Sequence, residues 1–146
     1  MTTPAPSNAY RIACDTDGDP FVNTSAVLLA SAARTLATTA AITNSKWRGI
    51  CIVVKVTARV GATTLTPKLS LKGPVSGTYD LDFWTAAAAI NSAAGTFAYL
   101  LYPAETPAVV TFTEEVNVTV PRDIQLTITP NNADAVTYSA GIYYLL

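Results

Sequence analysis

The sequence predicts an all-β protein with a single β-sandwich or jelly-roll domain, and three observations support this prediction. Apolar and polar residues alternate with a period of two through much of the second half of the chain. Gly, Pro and Asn residues that favour turns separate these runs at short intervals. No segment shows a strong helical period. Many short strands without long helices are typical of a sandwich or a jelly roll.

The N-terminal residues differ in character from the rest of the chain. Met1–Asn8 is polar and contains prolines, without the basic and apolar regions of a secretory signal. We therefore expect a flexible N-terminal arm over residues 1–20, followed by one β-sandwich domain over residues 21–146. A chain of 146 residues is long enough to bury the core of one such domain.

The first half of the domain predicts four strands. Residues 26–42 predict two strands around a short Ser/Ala/Arg corner, and the β-branched run over residues 50–60 predicts a central strand covered on both faces. The chain turns at residues 61–64, and Leu65–Leu71 alternates again. Because Pro67 lies in this run and cannot donate a ladder hydrogen bond, we expect an edge strand or a bulge there.

The second half predicts further short strands. Residues 73–77 predict a loop, and the alanine-rich residues 85–94 predict a helical turn or an ordered loop. Valines alternate with polar residues over 116–120 until Pro121 ends the run. Residues 124–129 and 136–146 alternate in the same way, so the last strand should tie the C-terminus into a sheet.

The composition favours a protein that contacts other proteins. Charged residues make up only 13 % of the chain, well below the roughly 25 % of an average globular domain. The net charge is −1 and the Lys and Arg residues are scattered, which argues against nucleic acid as a partner. No apolar run approaches the roughly 20 residues of a membrane span. A neutral Thr/Ser/Ala surface suits burial against neighbouring subunits, and the alternative is a mildly hydrophobic monomer.

The residue types argue against an enzyme. The chain has no histidine, which removes the commonest general base and metal ligand. Cys14 and Cys51 lack metal-ligand spacing; two buried free thiols are favoured over a disulfide between them. Asp80 and Asp82 lie two residues apart beside aromatic residues, so the alternative is a two-carboxylate hydrolase. A solvated strand end explains them better, and the prediction is a non-enzymatic protein without a cofactor.

One short motif resembles a calcium loop. Asp15, Asp17 and Asp19 alternate with Thr16 and Gly18, and alternating aspartates can place several oxygens around a hard cation. The glycine falls one residue early compared with an EF-hand loop, however, and an alanine stands where the closing glutamate should be. Ordinary turns use the same residues. We therefore predict no metal, with these three aspartates as the only Ca²⁺ candidates.

A carbohydrate-binding alternative rests on three aromatic residues. Tyr79, Trp84 and Tyr102 could form a stacking platform for sugar rings, as in a carbohydrate-binding or receptor-binding module. The competing interpretation is that these aromatics pack in the core of the sandwich. A glycan array separates the two, since a purely structural protein should bind no sugar.

A segment of Gly, an apolar run and Val-Thr-Ala is followed by further strand-and-turn patterns along the domain. The segments are Ser31–Thr35, Trp47–Ala58, Leu65–Gly73, Pro74–Gly77, Gly95–Pro103, Val120–Arg122 and Val136–Gly141. In these segments and in their order, most of the domain, from about residue 26 to residue 146, resembles small β-sandwich virion proteins of tailed bacteriophages. These patterns are typical of a fold and include no catalytic residue.

The resemblance implies a capsid decoration (cement) protein. Such proteins sit on the surface of the phage head, commonly as trimers, and lock neighbouring capsomers together. The expected partners are the major capsid protein and further copies of this chain, after synthesis in the host cytoplasm. The expected contact residues are Tyr10, Arg11, Ile12 and Phe21, because aromatic residues and Arg anchor interfaces. The alternative within a virion is a tail, neck or fibre component.

Overall fold

The computed structural model describes residues 24–103 and 112–146, and these residues form nine β-strands and no helix. The all-β prediction is therefore confirmed. The strands are β1 (Thr24–Arg34), β2 (Thr38–Thr43), β3 (Gly49–Arg59), β4 (Leu65–Leu71), β5 (Leu81–Thr85), β6 (Gly95–Leu101), β7 (Glu114–Val116), β8 (Asp123–Pro130) and β9 (Val136–Leu145).

Two sheets pack against each other as a sandwich. Sheet 1 has the order β1-β9-β3-β6-β7, and sheet 2 has the order β2-β8-β4-β5. All neighbouring strands are antiparallel except β6 and β7, which are parallel. Apart from β7, this order is compatible with a jelly roll, in which the chain crosses repeatedly between two four-stranded sheets.

The core lies between the inner faces of the two sheets. Successive side chains of a strand point to opposite faces, so alternate residues of each strand enter the core. In sheet 1 these are residues such as Ile52, Val54 and Ile142, and in sheet 2 Leu126 and Ile128 oppose them; all are almost completely buried. The predicted alternation over residues 124–129 and 136–146 is thereby confirmed.

The predicted central position of the strand over residues 50–60 is also confirmed, but only its inner face is covered by the other sheet. β3 lies between β9 and β6 and pairs with β9 from Gly49 to Arg59. β9 in turn lies between β3 and β1, so the C-terminal strand is in the middle of sheet 1. These two strands therefore form the centre of the sheet that carries the candidate surface described below.

Pro67 does not mark an edge strand, because β4 lies between β8 and β5. The register explains how a proline is tolerated there. The N–H of Lys72 donates to the carbonyl of Asp123, in β8. The main-chain groups of successive residues point to alternate sides of a strand, so those of Pro67, five residues earlier, point away from β8 and toward β5. On that side β5 ends at Thr85, opposite Lys68. The missing N–H of Pro67 thus falls just beyond the last paired residue, where the loop after β5 donates the N–H of Ala86 to the Pro67 carbonyl.

Two further predictions needed correction or refinement. Residues 116–120 keep their alternating burial, but only Val116 belongs to a strand, since β7 ends there. Residues 86–94 form a loop without a helical turn, and a bridge between Leu65 and Ile90 fixes it to β4. The predicted arm over residues 1–20, and the domain start at residue 21, lie outside the described residues. No helix in residues 24–103 or 112–146 is long and apolar enough to span a membrane.

Candidate interaction surface

The outer face of sheet 1 is the most unusual surface of the described chain. Alternation along β9 and β3 turns every second side chain away from the core. These outward residues lie in rows across the sheet, because the strands are in register. One row is Val27, Gly141, Val53 and Ala98, and the next is Ser25, Tyr143, Cys51 and Leu100.

These eight residues form what we call the sheet 1 patch. None of them is charged. Val27 is 76 % exposed and Tyr143 is 52 % exposed, while Cys51 and Leu100 are buried although they point away from the core. Lys55 borders the patch beside Val53, and Glu115 pairs with Leu100 at its far edge. The patch is therefore an apolar strip with charge only at its margins.

A shallow groove crosses the patch over Gly141. The groove lies between β1 and β3, and Val27, Val53 and Tyr143 are among the residues that line it. A Cβ atom on Gly141 would lie 3.3 Å from the carbonyl oxygen of Ala26, tighter than an ordinary contact. Glycine at this position thus lets β1 approach β9 closely and leaves the floor of the groove at backbone level.

The outer face of sheet 2 has the opposite character. Its outward positions carry hydroxyl, amide and charged groups, and Lys68 forms an ion pair with Asp82 at 2.9 Å. This is the usual arrangement, in which an antiparallel sheet buries one face and solvates the other. Two of its rows are Thr39, Thr127, Lys68 and Thr85, and Ala41, Gln125, Ser70 and Asp82. Sheet 1 therefore departs from a rule that sheet 2 follows.

Cys51 lies within the patch as an inert thiol. It is free and buried, which confirms a free thiol at this position. Burial raises its pKa to about 11, and a hydrogen bond with the backbone of Tyr99 offsets only part of that effect. Since the thiolate is the nucleophilic form, a thiol with a raised pKa is unreactive at neutral pH. Cys14 lies outside the described residues.

Trp84 does not fit the alternative of a sugar-stacking platform. This side chain is only 8 % exposed and packs against Tyr99 with 5.2 Å between ring centroids. Its Nε1 donates a 2.9 Å hydrogen bond to Oε1 of Glu114. Because Trp84 occupies an inward position on β5, its ring faces the core and is closed to a sugar.

The other two aromatic residues of that platform lie apart from Trp84. Tyr102 follows β6 in sheet 1, where its hydroxyl donates to the carbonyl of Leu146 at 2.6 Å and Arg48 lies over its ring. Tyr79 is half-buried in the loop between β4 and β5 of sheet 2. The three side chains therefore lie in different settings, and Trp84 is not available to the platform of the carbohydrate-binding alternative.

Asp80 and Asp82 each have a separate partner. Asp80 accepts a 2.6 Å hydrogen bond from Oγ of Ser76 within the β4–β5 loop. Asp82 forms the ion pair with Lys68 on the outer face of sheet 2. Both carboxylates thus have local contacts that explain them without a shared groove.

The remaining predicted site residues lie outside the part of the chain that the structure describes. These are the contact residues Tyr10, Arg11, Ile12 and Phe21, and the calcium candidates Asp15, Asp17 and Asp19. Within residues 24–103 and 112–146, no group of three or more Cys, Asp or Glu residues could hold a metal ion.

Sequence reasoning missed the patch, although its signal was in the sequence. The β-branched run over residues 50–60 predicts a strand covered on both faces. On the outer side, however, Val53 and Lys55 have no second layer of strands over them. Tyr143, at an outward position of the last strand, carried the same signal. An apolar residue at an outward strand position was the feature to look for.

Fold and surface together define a β-sandwich with an apolar strip on the outer face of one sheet. Comparisons with known protein families, with curated proteins and with solved structures find no match for this chain.

Proposed function

We propose that this protein is a non-enzymatic structural component of a virion that attaches to other proteins through the sheet 1 patch. The observation that carries the proposal is the uncharged outer face formed by the rows through Gly141 and Tyr143. Apolar faces rimmed by polar residues are typical of protein–protein contacts. An uncharged sheet face of this kind fits attachment to another protein better than catalysis.

The energetics of the patch favour docking over solvation. Burying apolar surface contributes roughly 25 cal/mol per Å², and no charged group in the two rows has to be desolvated. Val27 and Tyr143 project most and would make the first contacts. One such interface is modest, but many copies on a repeating lattice reinforce one another through multivalency.

Within the virion we favour a decoration protein on the surface of the phage head. Support comes from the resemblance to small phage β-sandwiches, the low charge and the exposed apolar sheet face. The partner would then be the major capsid protein, and the protein would stabilise the shell from outside. A tail, neck or fibre component would use the same surface on a different lattice.

The test is a binding assay on shells that lack this protein, assembled from the major capsid protein of the same phage. Val27→Lys and Tyr143→Lys place a charge on the patch and should each lower occupancy at least about tenfold. The control is Val75→Lys, because Val75 is 99 % exposed in the β4–β5 loop, away from the patch. Wild-type occupancy for both patch variants would contradict the proposal, as would sugar binding on a glycan array.

A second measurement concerns the predicted arm. Tyr10, Arg11 and Ile12 are expected to contact the shell or a neighbouring copy, so deletion of residues 1–20 should reduce occupancy. An extended segment that orders on binding loses conformational entropy but gains reach. Full occupancy of the deleted protein would remove the arm from the proposal and leave the patch as the attachment surface.

A further inference from the structure

The four edge strands of the sandwich differ in how well they are protected. Edge strands expose unpaired N–H and C=O groups, and proteins usually guard them with bulges, charges or shortness. β1 has two register shifts against β9, β5 has one against β4 and carries Asp82, and β7 is only three residues long with two glutamates. β2 has an unbroken register with β8, six residues, no proline and no charge. Among the described strands, β2 is the unguarded edge.

The hydrogen-bonding groups on the free side of β2 can be identified from the register. The N–H of Asn44 donates to the carbonyl of Arg122 at 2.6 Å, in line with the pairing of β2 and β8. The main-chain groups of successive residues in an antiparallel ladder point to alternate sides, so those of Ile42 and Ala40 also point to β8. The main-chain groups of Thr39, Ala41 and Thr43 therefore point to the open side. No strand in the described part of the chain pairs with that side.

The residues on this open side form a self-complementary pattern. Thr39, Ala41 and Thr43 have their side chains on the outer face of sheet 2, and all three are exposed. A two-fold axis perpendicular to the sheet, midway between Ala41 of one copy and Ala41 of the other, would place Thr39 of one copy opposite Thr43 of the other. Ala41 would face its own counterpart. Each of the three resulting pairs would exchange two N–H···O bonds, and Thr–Thr pairs are favourable across strands.

We propose that β2 pairs with β2 of a second copy of this chain, antiparallel and across that axis, so that two four-stranded sheets become one of eight strands. The palindromic Thr-Ala-Thr pattern specifies a second copy, because a two-fold contact requires the same surface on both sides. Between Thr24 and Thr43, Arg34 is the only charged residue, so like charges do not oppose the approach. The pairing gives a dimer, where the phage resemblance implies a trimer.

The test uses the purified full-length protein and needs no shell. Sedimentation equilibrium should give a dimer for the wild type. Ala41→Lys and Ala41→Glu each place like charges opposite one another on the axis, which should raise the dissociation constant on the order of tenfold or more. A mixture of the two variants should recover the dimer, because Lys then faces Glu. Only a contact that places residue 41 opposite itself predicts this recovery.

Thr129→Lys is the matched control, since Thr129 is exposed on the outer face of sheet 2 but belongs to β8 rather than to the edge. It should dimerise like the wild type, and thermal melting should show that all variants fold. A monomeric or trimeric wild type would overturn the proposal, and so would a mixture that stays monomeric. Dimers of wild-type strength in both single variants would also overturn it. The result is independent of shell binding, so either proposal can fail while the other stands.

Discussion

The indole of Trp84 and the carboxylate of Glu114 join the two sheets of the sandwich. Nε1 of Trp84, on β5 of sheet 2, donates to Oε1 of Glu114, on β7 of sheet 1, at 2.9 Å. The second carboxylate oxygen accepts a 2.8 Å hydrogen bond from the N–H of Ala87, in the loop after β5. One half-buried carboxylate thus holds a short strand, a core ring and a loop together.

Glu114→Ala should lower the free energy of unfolding by about 2–3 kcal/mol, because it leaves the indole N–H and the Ala87 N–H without their acceptor. Chemical denaturation gives this value. Trp84→Phe removes the donor. In a double-mutant cycle, the loss of stability in the double variant should be smaller than the sum of the two single losses. Additive losses, or a loss for Glu114→Ala below about 0.5 kcal/mol, would show that the pair is not coupled.

Tyr99 should make the protein sensitive to alkali. Burial, and secondly the negative charge of Glu114, raise the pKa of Tyr99 from 10.0 to about 12. The unfolded chain therefore loses this proton first, so the contribution of Tyr99 to stability should be constant below pH 10 and fall between pH 10 and 12. Over that range the loss from this group should reach about 3 kcal/mol at most.

The comparison is Tyr99→Phe against Tyr143→Phe, with stability measured by urea denaturation from pH 8 to 12. Among the described residues, the hydroxyl of Tyr99 has no hydrogen-bond partner, so its removal should not destabilise the protein at pH 8. Tyr99→Phe should reduce the decline between pH 10 and 12, and Tyr143→Phe, on the exposed outer face, is the matched control. Identical declines for the wild type and Tyr99→Phe would contradict this assignment.

Cys51 should resist thiol reagents in the folded protein. With its pKa raised from 9.0 to about 11, its thiolate population at pH 8 is about 100-fold lower than in an unfolded chain. A Cys14→Ala variant isolates this thiol for kinetic labelling with a disulfide reagent. Labelling should be at least about 100-fold slower without denaturant than with it. Equal rates would place Cys51 in an open and reactive setting.

Arg34 should not be replaceable by lysine. Its guanidinium donates to the carbonyls of Ala30 and Tyr138 at 2.6 Å and of Ala32 at 3.2 Å, and lies 4.6 Å from the centre of the Tyr138 ring. It thereby bridges the register shift between β1 and β9. A planar, forked donor suits this role and an ammonium group does not.

Arg34→Lys should therefore cost about 1–2 kcal/mol of stability. Arg122→Lys, at an exposed position before β8, is the matched substitution and should cost less than about 0.5 kcal/mol. Hydrogen exchange should also show faster opening of β1 in Arg34→Lys. Similar stabilities for Arg34→Lys and Arg122→Lys would mean that the register shift between β1 and β9 is maintained without the Arg34 guanidinium.

The sequence allowed the strands to be predicted better than the surfaces. Alternation in β8 and β9 follows from local chemistry, since one face of each strand packs in the core. The edge strand expected at Pro67 is absent, and the register shift between β4 and β5 falls between Leu69 and Ser70 instead, because both features depend on register between distant segments. Trp84 packs on Tyr99 and donates to a glutamate 30 residues away, and local sequence specifies neither contact. Alternation also predicted a strand at residues 117–120, but a strand needs a partner that local sequence does not specify.

The position of β9 has a consequence for biosynthesis. Its residues Val136–Leu145 follow all the other described strands in the chain, yet they lie between β1 and β3 and pair with both. Sheet 1 therefore cannot close until β9 has been synthesised, and until then β1 and β3 keep their inner edges open. A message that stops before the codons of β9 would yield a protein without the strand that joins β1 to β3.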